Sequence, residues 1–576
     1  MNSRIVEFFD WLLAPESGKT PGHLGPRWIF LRALGVIYFS AFYSLAYQVK
    51  GLIGPNGILP ADNYLGAVKH SVSSIARLWY APSLFWFSST DRALMIGCWI
   101  GMIAAICLVL NVWPRLSAII CFFCFLSFIG ILQDFSSYQS DGMLLEAGFL
   151  CFFFAPAGWR PSWGWSSAPS RACWGLLLWE WFRIYFESGI GKMLSGDPQW
   201  RHLTAMYEYY QNGPLPTWIG WYVQHAPHWF HWLTALATLV MEMGIVLLVF
   251  LPRRFRLICF FIVTPWEIGV ILTANYAFLN YLVLSLGFLL LDDKFLLRII
   301  PAKWFPRYRA AVAALTADRQ QSAALNKDLI STAVTSTQTA TGSILLRKTV
   351  VEKMRTRLAA WRLRNRRILK SVCMTFAGIC FAWVFYATAA ELIWMPLQAM
   401  HLPEWPVEVL EPFRIANQYG LFEVMTPARY EIEFQGSNDG GVTWTAYPFQ
   451  YKPQDVNKAP GIYAPYQPRF DWNLWFASLG TWRQYHFVVY TEEALLDGSP
   501  DVLSLFASNP FPGGPPQEIR CIIWQYWFTD MATKRRTGDW WTRKFLGLYA
   551  PTLIREGNGR YGVLQQPERS QPPEDQ

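Results

Sequence analysis

Residues Trp174 to Leu194 read WGLLLWEWFRIYFESGIGKML, and within this apolar stretch stand Glu180, Arg183, Glu187 and Lys192. The stretch is long enough to cross a bilayer as a helix, for which about 20 residues suffice. A charge at mid-membrane depth costs about 2.5–3.5 kcal/mol on insertion scales, so such residues turn to a bundle interior and mark a site. At about 100° per residue, Glu180, Arg183 and Glu187 fall within about 60° of one another and form one polar stripe. Lys192 falls on another face, where Gly189 and Gly191 are expected to unwind the helix before it. Two chemistries fit. The stripe is an internal ion-pair clasp between helices, or a functional site in which a desolvated Lys192 acts as base or nucleophile. Asp141, Glu146, Glu242 and Glu267 are further acids in apolar segments, available to pair with Arg183 or Lys192. These eight residues make up the predicted intramembrane polar site.

The elements that must hold such a site are membrane helices. Of 576 residues, 53 % are hydrophobic, 17 % aromatic and only 15 % charged, against about 25 % charged in a soluble domain. Candidate spans lie at about 28–49, 91–112, 116–133, 141–157, 174–194, 230–251, 257–274, 278–291 and 370–394. Residues 1–27 lack the pattern of a cleavable signal. Segment 292–367 carries 16 basic and 5 acidic residues, which places it in the cytoplasm with the N-terminus. The net charge of +9 is therefore a topology signal and not a nucleic-acid footprint. Nine spans then carry everything after Glu391 to the periplasm or lumen. The expected organisation is a helical core at 1–293, a basic cytoplasmic loop at 294–369, a last span at 370–394 and an outer domain at 395–576. Within the loop, 310–346 reads as a linker and Arg347 to Lys370 as a basic juxtamembrane helix.

The outer domain reads as a β-sandwich-like antiparallel unit carrying short helices. Arg429 to Phe434 alternates polar and apolar residues, a turn follows at Asn438–Gly441, and Val442-Thr443-Trp444 resumes a strand. Further β-prone runs are Tyr447–Tyr451, His486–Tyr490 and Ile519–Trp524, while Asp471–Leu479 and Asp539–Leu548 read as short helices. Nine of the ten Cys lie in or beside apolar segments, so Cys521 has no partner in this domain for an internal disulfide. Cys121 and Cys124 have redox spacing but read as packing inside a helix. His225, His228 and His231 lack zinc spacing and read as interfacial residues, so no metal site is predicted.

Three blocks are irregular enough to carry a family resemblance. They are Tyr138 to Leu150 (YQSDGMLLEAGFL), Ser188 to Lys192 (SGIGK) with Trp200, Leu203-Thr204-Ala205 and Pro214-Leu215-Pro216, and Pro465 to Trp472 (PYQPRFDW) with Trp475-Phe476-Ala477. From about Ile29 to Trp541, outside the basic loop, the chain resembles the lipase maturation factor family, whose animal members are endoplasmic-reticulum membrane proteins that help secreted lipases reach their active form. Around Lys192 the family is also distantly similar to vitamin-K-dependent carboxylase-like membrane domains, where such a Lys serves as base. Where the family pattern has His-Tyr-Glu-Thr-Gln, this chain reads Tyr209-Tyr210-Gln211-Asn212-Gly213, with Glu208 beside it, so a candidate acid/base pair is missing. The resemblance implies a folding or maturation factor whose outer domain holds a secreted client such as a lipase, with Gln467, Arg469, Asp471, Trp472 and Trp475 as the expected client-binding residues. The alternative is an integral membrane enzyme using Lys192. No cofactor is predicted, and a bound lipid is compatible with the bundle. The chain contains no Asn-x-Ser/Thr sequon, which favours a bacterial inner membrane over a glycosylating compartment.

Overall fold

The computed structural model describes residues 12–13, 22–301, 303–317, 350–557 and 559–568, with the backbone alone for 350–371. The principal helices of the bundle are α1 (Leu24–Ile53), α2 (Asp91–Val109), α3 (Pro114–Ile129), α4 (Gln139–Phe154), α5 (Arg171–Leu194), α6 (His228–Met243), α7 (Arg253–Thr273), α8 (Leu279–Gly287) and α9 (Val350–Trp394). Apart from the basic first half of α9 and the charges of α4 and α5, they are largely apolar, as helices buried in protein or lipid must be. Against about nine expected spans, five described segments have the length and composition to cross a membrane: Leu24–Ile53, Asp91–Val109, His228–Phe250, Arg253–Thr273 and Val372–Trp394. Pro114–Ile129 and Leu279–Leu290 are apolar but shorter, and α4 and α5 carry the buried charges. Gly189 and Gly191 do not unwind α5, which runs unbroken to Leu194. Part of the expected linker is ordered, since 306–317 is helical and buries Tyr308 and Leu315. Residues 318–349 lie outside the described residues.

The C-terminal region is not a sandwich among the described residues. It is one antiparallel sheet of β1 (Arg429–Ser437), β2 (Thr445–Ala446), β3 (Glu518–Phe528), β4 (Trp541–Leu548), β5 (Thr552–Arg555) and β6 (Tyr561–Gln565), with α10 (Arg469–Ser478) and α11 (Phe487–Leu496) packed against it. β1 pairs with β2 on one side and β3 on the other, in a register that sets Ile432 opposite Ile523. The far edge of β3 is shared by β4 and β5, and β6 lies outside β5. Every residue of β1 is buried, because helices take the place of the expected second sheet. Two expected elements exchange type. His486–Tyr490 falls largely in α11, where Val488, Thr491, Glu492 and Leu495 are buried at helical spacing. The expected helix at Asp539–Leu548 is mostly β4, whose Phe545 packs edge-on against Trp524 of β3 at 5.3 Å. Tyr447–Tyr451 forms no strand.

Candidate functional site: a charged seam and the cavity beside it

Apart from Arg171 at the start of α5, the charges of α4 and α5 are buried, and most of them are bound to the polypeptide that leaves the last helix. Arg183 is ion-paired with Glu146 and lies 3.7 Å from Glu187 on the next turn. The segment Arg414–Met425, a strap between α9 and the sheet, lies over them. Arg183 donates to the Asn417 carbonyl, the Tyr419 hydroxyl donates to Glu146 Oε2 at 2.9 Å, and the Tyr419 amide donates to Glu187 Oε2 at 2.8 Å. One turn on, Ser188 Oγ accepts the Leu421 amide at 3.0 Å. Lys192 Nζ donates to the Leu421 carbonyl at 2.7 Å, to Glu242 Oε1 at 3.0 Å and to the Ser188 carbonyl at 3.4 Å. The strap then closes on Asp197, which accepts the Met425 amide at 2.6 Å.

Two glycines leave room for side chains of the strap. A Cβ on Gly142 would stand 2.5 Å from Asn417 Oδ1, and one on Gly191 would stand 2.2 Å from Glu423 Oε1. The blocks YQSDGMLLE and SGIGK thus receive this strap, supplying the charge, the hydroxyl and the missing side chains it needs. Buried charges are stabilised by pairing and hydrogen bonding, and here backbone groups of the strap supply partners to Arg183, Glu187 and Lys192.

The third block forms the second half of the seam. Arg469 makes a two-pronged pair with Asp141, both contacts at 2.7 Å, and donates to the Phe135 carbonyl at the same distance. Such fork-on-fork pairing fixes orientation as well as charge. Gln48 of α1 donates to the Gln467 carbonyl at 2.9 Å, and the Tyr138 ring stacks on Trp472 with centroids 5.2 Å apart. Asp471 accepts the Tyr451 and Lys452 amides at 3.2 Å, and burial pushes its carboxyl up to about 6.

Several expectations are corrected by this arrangement. Gln467, Arg469, Asp471, Trp472 and Trp475 are buried and present no client surface; Arg469, Trp472 and the Gln467 carbonyl fasten the sheet domain to the bundle, while Asp471 holds a turn within that domain. Of the intramembrane acids, Glu146 and Glu242 do pair with Arg183 and Lys192, but Asp141 pairs with the outer domain and Glu267 accepts from Tyr185 at 2.6 Å. Glu180 is buried deeper along α5. Lys192 is held by three acceptors, Glu242 of α6, Leu421 of the strap and Ser188 of its own helix. His225 contacts the Trp221 and Thr529 carbonyls at 2.7 and 2.9 Å. Among the described residues no cluster of three metal-ligating side chains occurs. The strap residues Asn417, Tyr419 and Leu421 were not among the sequence candidates. No sequence signal singles them out, since they stand about 20 residues beyond the last apolar helix in a mixed polar and apolar run.

Beside the seam, α5, α6, α7 and α8 enclose a cavity of about 390 Å³ whose wall includes Lys192, Glu242, Glu267, Tyr209 and Tyr210, with Leu421 and Phe422 of the strap. The tyrosines that stand in the departing run therefore line a chamber and form no acid/base pair.

A helical membrane bundle with a sheet domain fastened to one end through buried ion pairs defines a polytopic membrane protein with an attached extramembrane domain. Residues 25–298 match the lipase maturation factor transmembrane domain, and residues 415–551 match the lipase maturation factor C-terminal domain. The chain is 31 % identical to lipase maturation factor 2 of Gallus gallus, over 92 % of this chain and 81 % of that protein. It is 28 % identical to lipase maturation factor 1 of Mus musculus (97 % and 94 % covered) and 27 % identical to that of Bos taurus (94 % and 91 % covered). It belongs to the lipase maturation factor family. No solved structure matches it.

Proposed function

We propose that this chain is a membrane-anchored maturation factor that assists the assembly of secreted lipases, with the sheet domain facing the client. The observation that carries the reading is that family similarity covers both the bundle and the sheet domain, the two parts joined by the seam. The client surface is then sought on exposed apolar side chains of the sheet domain, Val442, Phe545, Val563 and Leu564, because the five predicted residues are buried. In this reading nine helices cross the membrane, the basic segment faces the cytoplasm, and the sheet domain stands in the periplasm or lumen. The lack of sequons supports a bacterial inner membrane, while the relatives named above are vertebrate proteins. The test is to supply the full chain to cells that secrete inactive lipase for want of their own maturation factor. Lipase activity per unit of secreted lipase antigen should rise. An unchanged value, with the chain folded and at the membrane, refutes the reading.

A further inference from the structure

The cavity beside the seam has the size of a small-molecule site, and its mouth opens sideways. Helix α6 lines it with one face, on which Phe230, Thr234, Thr238 and Glu242 recur every fourth residue. Helix α7 lines it near Pro265 and Gly269. These helices follow one another in the chain, yet α6 packs on α5 and α7 on α8, and both pack on the turn between them rather than along each other. Pro265 cannot donate a backbone hydrogen bond inside α7. Pro265 and Gly269 are both exposed, and a Cβ on Gly269 meets nothing within 4 Å. A gap between two spans faces acyl chains.

The polar groups in the wall select the kind of molecule. Lys192 has spent its three donors on Glu242, Leu421 and Ser188, so no cationic donor is left for an anionic head. Glu242 already pairs with that charge and the Glu267 carboxyl stands in the same wall, so the cavity offers acidic groups and no free cation. The second oxygen of Glu242 has no hydrogen-bond partner among the described residues. Carboxylates with spare acceptor capacity, beside the hydroxyls of Tyr209 and Tyr210, suit a donor hydroxyl. The rest of the wall is largely apolar and aromatic.

We propose that this cavity binds an uncharged, hydroxyl-bearing membrane lipid, which enters between α6 and α7 and sets its hydroxyl toward Glu242 and Glu267. Diacylglycerols and sterols share that chemistry. The inference stands apart from the identity of the client, because it is read by binding and not by lipase activity.

The experiment places the full chain in nanodiscs with a photoactivatable diacylglycerol, sterol or phosphatidic acid, the first and last with matched acyl chains. The diacylglycerol or the sterol should label peptides of α6 and α7 that line the cavity, and the same lipid without the photoreactive group should compete. Which of the two labels identifies the source. Gly269→Phe, which fills the mouth, should reduce labelling several-fold. Gly175→Phe, on α5, where a Cβ likewise meets nothing within 4 Å, should leave it unchanged. Peptide mapping in the unaltered chain decides the matter even if Gly269→Phe fails to fold. Labelling outside the cavity, equal labelling by phosphatidic acid, or a folded Gly269→Phe that labels like Gly175→Phe overturns the proposal.

Discussion

Asp471 shows how a buried group in this protein trades charge for position. Its carboxylate holds two backbone amides of the 451–452 turn, yet burial raises its folded-state value from 3.8 to about 6. A raised carboxyl binds its proton more tightly folded than unfolded, so the stability it contributes is full below about 3.8 and is lost as pH rises through about 6. Asp471→Asn should flatten that part of the pH profile. Thermal unfolding of both proteins between pH 4 and 7 measures it, and an equal slope in the two would contradict the assignment. Lys192 makes the same point in the bundle. Its residue type and apolar setting suggested chemistry, but its three acceptors make it a fastener. The sequence could not foretell this, because Leu421 and Ser188 accept through backbone carbonyls, which every residue type carries.

At the scale of elements, the strap is the piece that converts charges into architecture. Tyr419 answers two carboxylates at once, one with its hydroxyl and one with its amide. Tyr419→Phe removes only the hydroxyl, which should cost about 1.5–3 kcal/mol, the usual worth of a hydrogen bond to a charged group. A denaturation midpoint in detergent reads this, and a variant as stable as wild type would show that Glu146 is satisfied by Arg183 and Asn417 alone. The polar stripe was legible from helical spacing, and Glu146 and Glu242 stood among four acids available to Arg183 or Lys192, though which acid meets which cation was not. The strap was not, since Tyr419 is 232 residues from Glu187 and Asn417 and Tyr419 bear no charge to betray the contact. Strand and helix types failed where tertiary packing overrides local preference. Phe487 and Val488 are β-prone by type but lie on the buried side of α11, and Phe545 is drawn into the sheet by Trp524.

For the whole molecule, buried ion pairs and hydrogen bonds join the bundle and the sheet domain into one unit, and the proposed topology sets the sheet and the basic segment on opposite faces of the membrane. An exposed cysteine at Asn438→Cys, in the turn after β1, and another at Lys303→Cys should react with a membrane-impermeant maleimide from opposite sides. Reaction of both from one side would contradict the topology. The seam itself is tested most directly by a double-mutant cycle at Asp141 and Arg469. Breaking a buried pair by removing one partner costs about 3–5 kcal/mol, whereas an apolar replacement of both is often neutral. Asp141→Leu and Arg469→Leu should each lower the amount of folded protein and the activity of secreted lipase in parallel, and the double variant should recover both. A single or double variant that folds to wild-type amounts yet yields no active lipase would show that these charges act on the client and not on the fold.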